Sequence, residues 1–313
     1  MKPVVVSVII CTCNRAEPLR LTLEALARVS VPEDLPAELI VVDNGSADGT
    51  AEVVRNCDLT FPVKYAFEPR RGKGYAYNRG MAEASGEIFL FTDDDVRPPP
   101  DWLAGMCRPI LAGQADAVQG GVAIPKALLR PWMEPLHRAW MASTDALDPN
   151  DPPALIGANM AFSREVLRSV PAFDSELGPG ALGFCDETLF SLQLKESGGR
   201  IAAAYATEVE HHFDASRLTR ENFLKRADGQ GRSQAYMAYH WLHQDVPDAA
   251  VRLRRRSLRL LLRRWKYRAE CAGPEGAPGW ELNLVSEIAY CRQFLTEMRR
   301  PRLYDRLGLV KRI

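Results

Sequence analysis

Residues 86–96 read GEIFLFTDDDV. Four consecutive apolar residues, Ile88, Phe89, Leu90 and Phe91, lead into three adjacent carboxylates, Asp93, Asp94 and Asp95. A short, wholly apolar run suits a strand buried on both faces of a parallel sheet. Three neighbouring carboxylates repel one another, so the position needs a cation or a solvated turn. In open α/β sheets ligands bind beyond the carboxyl ends of strands, which is where this cluster falls. Asp93 and Asp95 can each offer an oxygen to Mg2+ or Mn2+. Such ions take few protein carboxylates and fill their other positions with phosphate oxygens and water. The plainer alternative is an exposed acidic turn closed by Pro98-Pro99-Pro100.

Upstream, strand and helix signals alternate. Residues 4–11 form a β-branched apolar run, 19–29 have a helical period, and 38–42 are a second strand ending in Asp43-Asn44-Gly45-Ser46. Asp48 can cap a helix through Val53 and Val54. Val63–Phe67 reads as a third strand, followed by a glycine-punctuated basic loop with Arg70, Arg71 and Lys73, then a helix over about 75–84. These intervals are those of βαβ units. Downstream, Trp102–Leu111 reads as a helix, Ala117–Ala123 and Asn159–Ser163 as strands, 186–197 as a helix, and 201–205 with 207–211 as the last strands. Residues 128–153, rich in Trp, Met and Pro, lack periodicity and read as a substrate-side insertion or lid. Past residue 217 the chain is helical and basic. The fold class is α/β, a mostly parallel sheet flanked by helices, with a C-terminal helical extension.

The chain has 313 residues, 46% hydrophobic and 26% charged, with 40 basic residues balancing 40 acidic ones. That excludes a disordered, collagen-like or multi-span membrane protein, and no global field points to nucleic acid. Seven cysteines without a C-x-x-C spacing read as free thiols in a reducing compartment. The N-terminal apolar run ends in Asn14-Arg15-Ala16-Glu17 with no small-residue cleavage site, so it reads as a strand rather than a signal peptide. No stretch reaches the ~20 apolar residues of a membrane-spanning helix.

The other strand ends carry chemistry of two readings. Asp43 can accept hydrogen bonds from a nucleobase or ribose, or can cap the next helix through an Asx turn. Thr12-Cys13-Asn14-Arg15 is equally open. Arg70, Arg71 and Lys73 suit anion contact, although a solvated basic loop is the commoner case.

In order and at the right intervals, SVIICTCNR, ELIVVDNGS, RRGKGYAYNRG and GEIFLFTDDDV resemble the family 2 glycosyltransferases over roughly residues 4–215. The resemblance implies a nucleotide-binding GT-A fold. The catalytic domain would be 1–215, with a nucleotide half of about 1–100 and an acceptor half of about 101–215, and 216–313 would be the helical extension. It implies that Asp43 contacts the base, that Asp93 lies near the ribose, and that Asp95 holds a divalent cation, Mn2+ or Mg2+, on the sugar-nucleotide diphosphate. Thr12, Asn14, Arg15, Lys73 and Asp94 would complete the nucleotide-sugar pocket, and Asn159 would touch the donor sugar. His211, after the last strand, would complete the metal site, with His212 the weaker candidate. Arg226, Gln230, Gly231 and Arg232 could reach the diphosphate.

The family's later acidic pair, usually Glu-Asp, appears here in reverse as Asp186-Glu187. Glu187 falls where the family has its catalytic Asp and is the expected general base, with Asp186 the alternative. The implied reaction is an inverting, metal-dependent transfer from a nucleotide-sugar to a saccharide, lipid-linked or other hydroxyl acceptor. Its setting would be bacterial-type polysaccharide or glycoconjugate synthesis in the cytoplasm. The reversed pair leaves room for a catalytically degenerate nucleotide-sugar-binding scaffold. An aspartate-nucleophile phosphatase fits less well, because its acidic motif usually lies on the first core strand.

Between Arg252 and Arg268 stand nine basic residues and no acidic one. With Leu258, Leu261, Leu262 and Trp265 on one face, this reads as a basic amphipathic helix. The expectation is that those four pack on the catalytic domain and the arginines face water. Peripheral docking on the anionic inner face of a membrane is the rival.

Overall fold

A computed structural model describes residues 4–312. Eight strands form one sheet: β1 (Val6–Thr12), β2 (Ala37–Asp43), β3 (Val63–Phe67), β4 (Ile88–Asp93), β5 (Val96–Arg97), β6 (Ala117–Ala123), β7 (Asn159–Ser163) and β8 (Ile201–His211). Their order is β3-β2-β1-β4-β7-β6-β8-β5. The strands β3, β2, β1 and β4 are parallel, as are β6 and β8, while β7 runs antiparallel to β4 and β6.

Alternation along β1 divides the core. Val6, Val8 and Ile10 face one way, against α1 (Ala16–Leu26), α2 (Thr50–Arg55) and α4 (Trp102–Leu111). Ile9 faces the other way, with Val42, Phe89 and Phe91, against α3 (Lys73–Glu83) and α6 (Asp186–Glu196). Burial on both faces explains why these strands read as continuous apolar runs. The chain builds β1, β2 and β3 outward and then returns to place β4 on the other side of β1. The crevice beyond the ends of β1 and β4 is therefore a switch point, and both Thr12 and Asp93 end there.

Three features of the sheet and its connections differ from the sequence expectations. The two strands expected over 201–211 are one, with a register shift at Gly120/Gly121 opposite it. The two-residue β5, which no periodicity could announce, pairs Val96 with His211. The aperiodic stretch 128–153 holds only a short helix, α5 (Pro135–Ala139), and its Met133 and Met141 pack with Phe213 and Phe223.

The C-terminal helices are α7 (Arg220–His240), α8 (Ala249–Lys266) and α9 (Gly279–Glu297). The packing expected of α8 is overturned. Leu258, Leu261, Leu262 and Trp265 are 58%, 65%, 59% and 75% exposed. It is Leu260, on the opposite side, that packs with Leu284 and Ile288 of α9.

Candidate active site

The crevice has two lobes, of about 400 and 590 Å³, that share Lys73, Asp93, Pro179 and Arg217 in their walls. The smaller lobe is lined by Thr12, Arg15, Asn44, Arg71 and Asp94, the larger by Trp140, Phe184, Glu187, His211 and Arg226.

The acidic turn after β4 is held from three sides. Asp94 accepts from the Thr12 hydroxyl at 2.6 Å and from Arg15 at 2.8 Å. Burial pushes its carboxyl up to about 6, against the pull of Arg15. Asp95 is buried, and its Oδ2 accepts from Arg15 at 2.5 Å and from Arg217 at 3.3 Å. The His212 N–H donates to the Asp95 carbonyl at 2.7 Å, so β8 is tied to the turn beside the β5 pairing. That brings in His211, whose buried Nε2 lies 3.2 Å from Asp95 Oδ1. His211 Nδ1 is 2.8 Å from the Met141 carbonyl, which can only accept, so Nδ1 carries the proton. In a neutral ring Nε2 then presents a lone pair, and it has no hydrogen-bond partner. One ligand atom from each of Asp93, Asp95 and His211 lies within 4.8 Å of the others. A buried lone pair facing carboxylate oxygens fits a cation between them. Two carboxylates suit Mg2+ or Mn2+, and the imidazole favours the first-row ion of the two.

Lys73 opens α3 and joins the lobes. Its Nζ is 3.1 Å from Asp93 Oδ1 and 3.3 Å from Glu187 Oε1, and the Tyr77 hydroxyl donates to the same Glu187 oxygen at 3.3 Å. Burial alone would lower the Lys73 pKa, but Asp93, Tyr77 and Glu187 outweigh it and the ammonium is held well above its ordinary range. Burial would likewise raise Glu187, yet Lys73 and local hydrogen bonds bring it down to about 2. Asp186 is 1% exposed with an unpartnered Oδ2, and burial beside Glu187 pushes it far up. The two carboxyls titrate as a coupled pair, in which Lys73 favours the charged form of Glu187 and burial disfavours that of Asp186.

Several expected residues sit elsewhere. Asn159 is corrected outright. It is fully buried, accepts from the Trp102 indole, and donates to the Gly121 and Thr207 carbonyls. Its amide is spent on the sheet and does not reach the crevice. Asp43 stands at the end of β2 beside Thr12, but its oxygens already accept from Ser46 N at 2.7 Å and the Tyr65 hydroxyl at 2.8 Å. The Asn14 side chain accepts from Ala47 N and lies outside both lobes. Arg70 turns away to Glu68 at 2.8 Å, leaving Arg71 and Lys73 in the wall. The exposed His212 ring pairs with Glu210. Arg226, Gln230 and Arg232 line the larger lobe, whereas Gly231 lies against the Ser286 backbone of α9.

Asn44 and Arg217 are among the contributors that had no prediction. Asn44 accepts from Gly72 N and donates to the Glu68 and Arg70 carbonyls, which shapes the basic loop. Its place beside Asp43 was the available signal. Arg217 had none, because only folding brings it to Asp95.

The family model described as Glycosyl transferase family 2 matches residues 7–170. The glycosyltransferase AglE of Haloferax volcanii is 35% identical over 119 residues, 37% of this chain and 39% of that protein. A dolichol-phosphate mannosyltransferase of Pyrococcus furiosus is 34% identical over 115 residues, 36% of this chain and 32% of that protein. The matched stretch thus spans well under half the length of these curated relatives. A mannosyltransferase from Pyrobaculum calidifontis, solved with GDP-Man and Mn2+, superposes with a TM-score of 0.60 at 21% identity, covering 94% of this chain and 88% of that one. Residues 1–349 of S. aureus TarS, solved with UDP-GlcNAc, give a TM-score of 0.52 at 18% identity, covering 84% and 73%. These likenesses are of fold.

Proposed function

Because the chain belongs to glycosyl transferase family 2 and has the GT-A fold, we propose that it transfers a glycosyl group from a nucleotide-sugar to an acceptor hydroxyl, with inversion and with Mn2+ or Mg2+. The observation that carries this reading is the pairing of lobes across Lys73, with three acidic residues on one side and Glu187 on the other. Residues 1–215 are assigned to catalysis. The helical extension, 216–313, lends Arg217, Arg226 and Arg232 to the cleft wall.

The smaller lobe takes the nucleoside diphosphate, against Thr12, Arg15, Asp93 and Asp94, with Asp43 behind it. Asp95 and His211 would hold the cation, with Asp93 beside them. When bound, the ion neutralises charge on the departing diphosphate. Glu187, which meets Lys73 and Tyr77 at the cleft, rather than the buried Asp186, takes the acceptor's proton. The acceptor oxygen then bonds to the anomeric carbon as that carbon's bond to the diphosphate oxygen breaks. The bonding pair leaves with the diphosphate, whose charge Arg71, Lys73 and Arg217 can meet. Polysaccharide or glycoconjugate synthesis at the cytoplasmic face of a membrane is the setting we infer.

The test is thermal unfolding with UDP, GDP, dTDP and CMP, each with Mn2+ and with EDTA. A nucleotide at a hundred times its Kd stabilises by about 2.7 kcal/mol. The expected result is a metal-dependent shift with one nucleotide, turnover of the matching sugar donor, and a kcat about 10²–10⁴-fold lower in Glu187→Gln. Binding without turnover of any sugar would favour the scaffold alternative.

A further inference from the structure

The helix α8 presents the reverse of what a water-facing helix should. Its inward side, through Leu260, packs on Leu284 and Ile288 of α9. Its outward side carries Val251, Leu258, Leu262 and Trp265, which fall within about 60° of one another at 3.6 residues per turn. Leu261 lies at the margin of that stripe. These five are among the most exposed large apolar side chains described, and Trp265 is 75% exposed.

The charges that α8 itself carries are all of one sign. The sequence of α8, AAVRLRRRSLRLLLRRWK, contains no acidic residue. Arg256 and Arg264 turn to Glu287 and Glu281 on α9, and Arg252 pairs with Asp248 just before the helix. Among the described residues, Arg254, Arg255 and Arg259 have no ion-pair partner, and they lie within or beside the stripe. The whole chain is neutral, so this is a local concentration of positive charge.

We propose that the outward face of α8 docks on an anionic lipid bilayer, lying in the plane of the headgroups with the apolar stripe in the acyl boundary. An exposed Trp beside arginines matches the chemistry of that boundary, where an indole sits at headgroup level and guanidinium groups meet lipid phosphates. A second copy of the chain fits poorly, because stripe-to-stripe packing would bring unpaired arginines together. No described helix is long and apolar enough to cross a membrane, so the contact is peripheral. The proposal stands apart from the transferase reading and survives or fails without it.

The test is flotation of the full chain with vesicles of phosphatidylglycerol and phosphatidylcholine at low and high salt, with phosphatidylcholine vesicles alone as control. Binding is expected only with the anionic vesicles, and weaker in high salt. Leu262→Glu with Trp265→Glu should cut partitioning at least ~10-fold. Arg255→Gln and Arg259→Gln should each cut it about five-fold. Because all four side chains point outward, unfolding temperatures should match the unaltered chain, which separates lost docking from lost folding. Absence of flotation on anionic vesicles at low salt overturns the proposal, as does flotation that the double variant does not reduce. A lipid-free dimer abolished by that variant, without lipid binding, would assign the face to a second copy instead.

Discussion

Lys73 stands within 3.3 Å of both Asp93 and Glu187, so one ammonium touches the proposed metal side and the proposed base side of the cleft. Burial works to raise Glu187, and only Lys73 and nearby hydrogen bonds keep it at about 2. Remove the ammonium and the burial contribution remains. Lys73→Met should therefore shift the acid limb of the kcat/KM profile upward, whereas loss of a diphosphate contact alone would lower the rate without moving the limb. A pH–rate series on both proteins distinguishes the two. Gly157 makes a sharper steric test, since a Cβ there would come within 2.1 Å of the Tyr77 hydroxyl and 2.5 Å of Glu187 Oε1. Gly157→Ala should displace the proposed base, Glu187, and cut kcat by 10²-fold or more, roughly the effect of an ångström's misplacement. The nucleotide-dependent thermal shift should survive. Asn159 marks where reading single residues fails. A polar side chain at a strand start beside the cleft looks like a ligand contact, but its neighbours across the sheet, Gly121 and Thr207, claim the amide.

The junction of β5 with β8 decides whether His211 meets the acidic turn. The His212 backbone donates to the Asp95 carbonyl, while its ring touches only Glu210 at the surface. His212→Ala should thus leave metal response intact. His212→Pro removes the N–H and leaves the carbonyl without that partner, at a cost of about 1–3 kcal/mol. It should also shrink the Mn2+-dependent thermal shift, and calorimetry of both variants with and without Mn2+ checks the contrast. Elements of this kind explain what the sequence concealed. The strands β3, β6 and β7 and the helix α4 were legible to the residue, because apolar runs and Gly or Pro punctuation are local signals. A two-residue strand before a proline run has no period to detect. The outward face of α8 was misread for a related reason. Its stripe is evident in sequence, but which side meets α9 depends on Leu284 and Ile288, 24 and 28 residues beyond Leu260.

Across the whole molecule, the C-terminal end braces the loop that leads into α6. Asp174 Oδ2 accepts from the Tyr236 and Tyr304 hydroxyls at 2.6 and 2.7 Å, and Lys311 lies 2.7 Å from Asp174 Oδ1. Two residues on, Glu176 takes Arg300 at 2.8 Å and Lys311 at 2.8 Å. The same loop continues through Pro179 and Gly180, which line the smaller lobe, to the Asp186-Glu187 pair. Burial would raise Glu176, but Arg300 and Lys311 outweigh it and hold the carboxyl at about 2, below its ordinary 4.5. A depressed carboxylate stabilises the fold fully above the unfolded value and progressively less as pH falls through the folded one. Its contribution should therefore fade between pH 4.5 and 2. Glu176 is partly exposed, so solvent screening keeps the effect to about 1 kcal/mol or less. Glu176→Gln should be slightly less stable than the unaltered chain at pH 7 and should converge on it as the pH approaches 2. Urea unfolding across that range measures the convergence. A constant gap between the two would mean that the loop is held by the buried Asp174–tyrosine cluster, and that the Glu176 pairs add nothing.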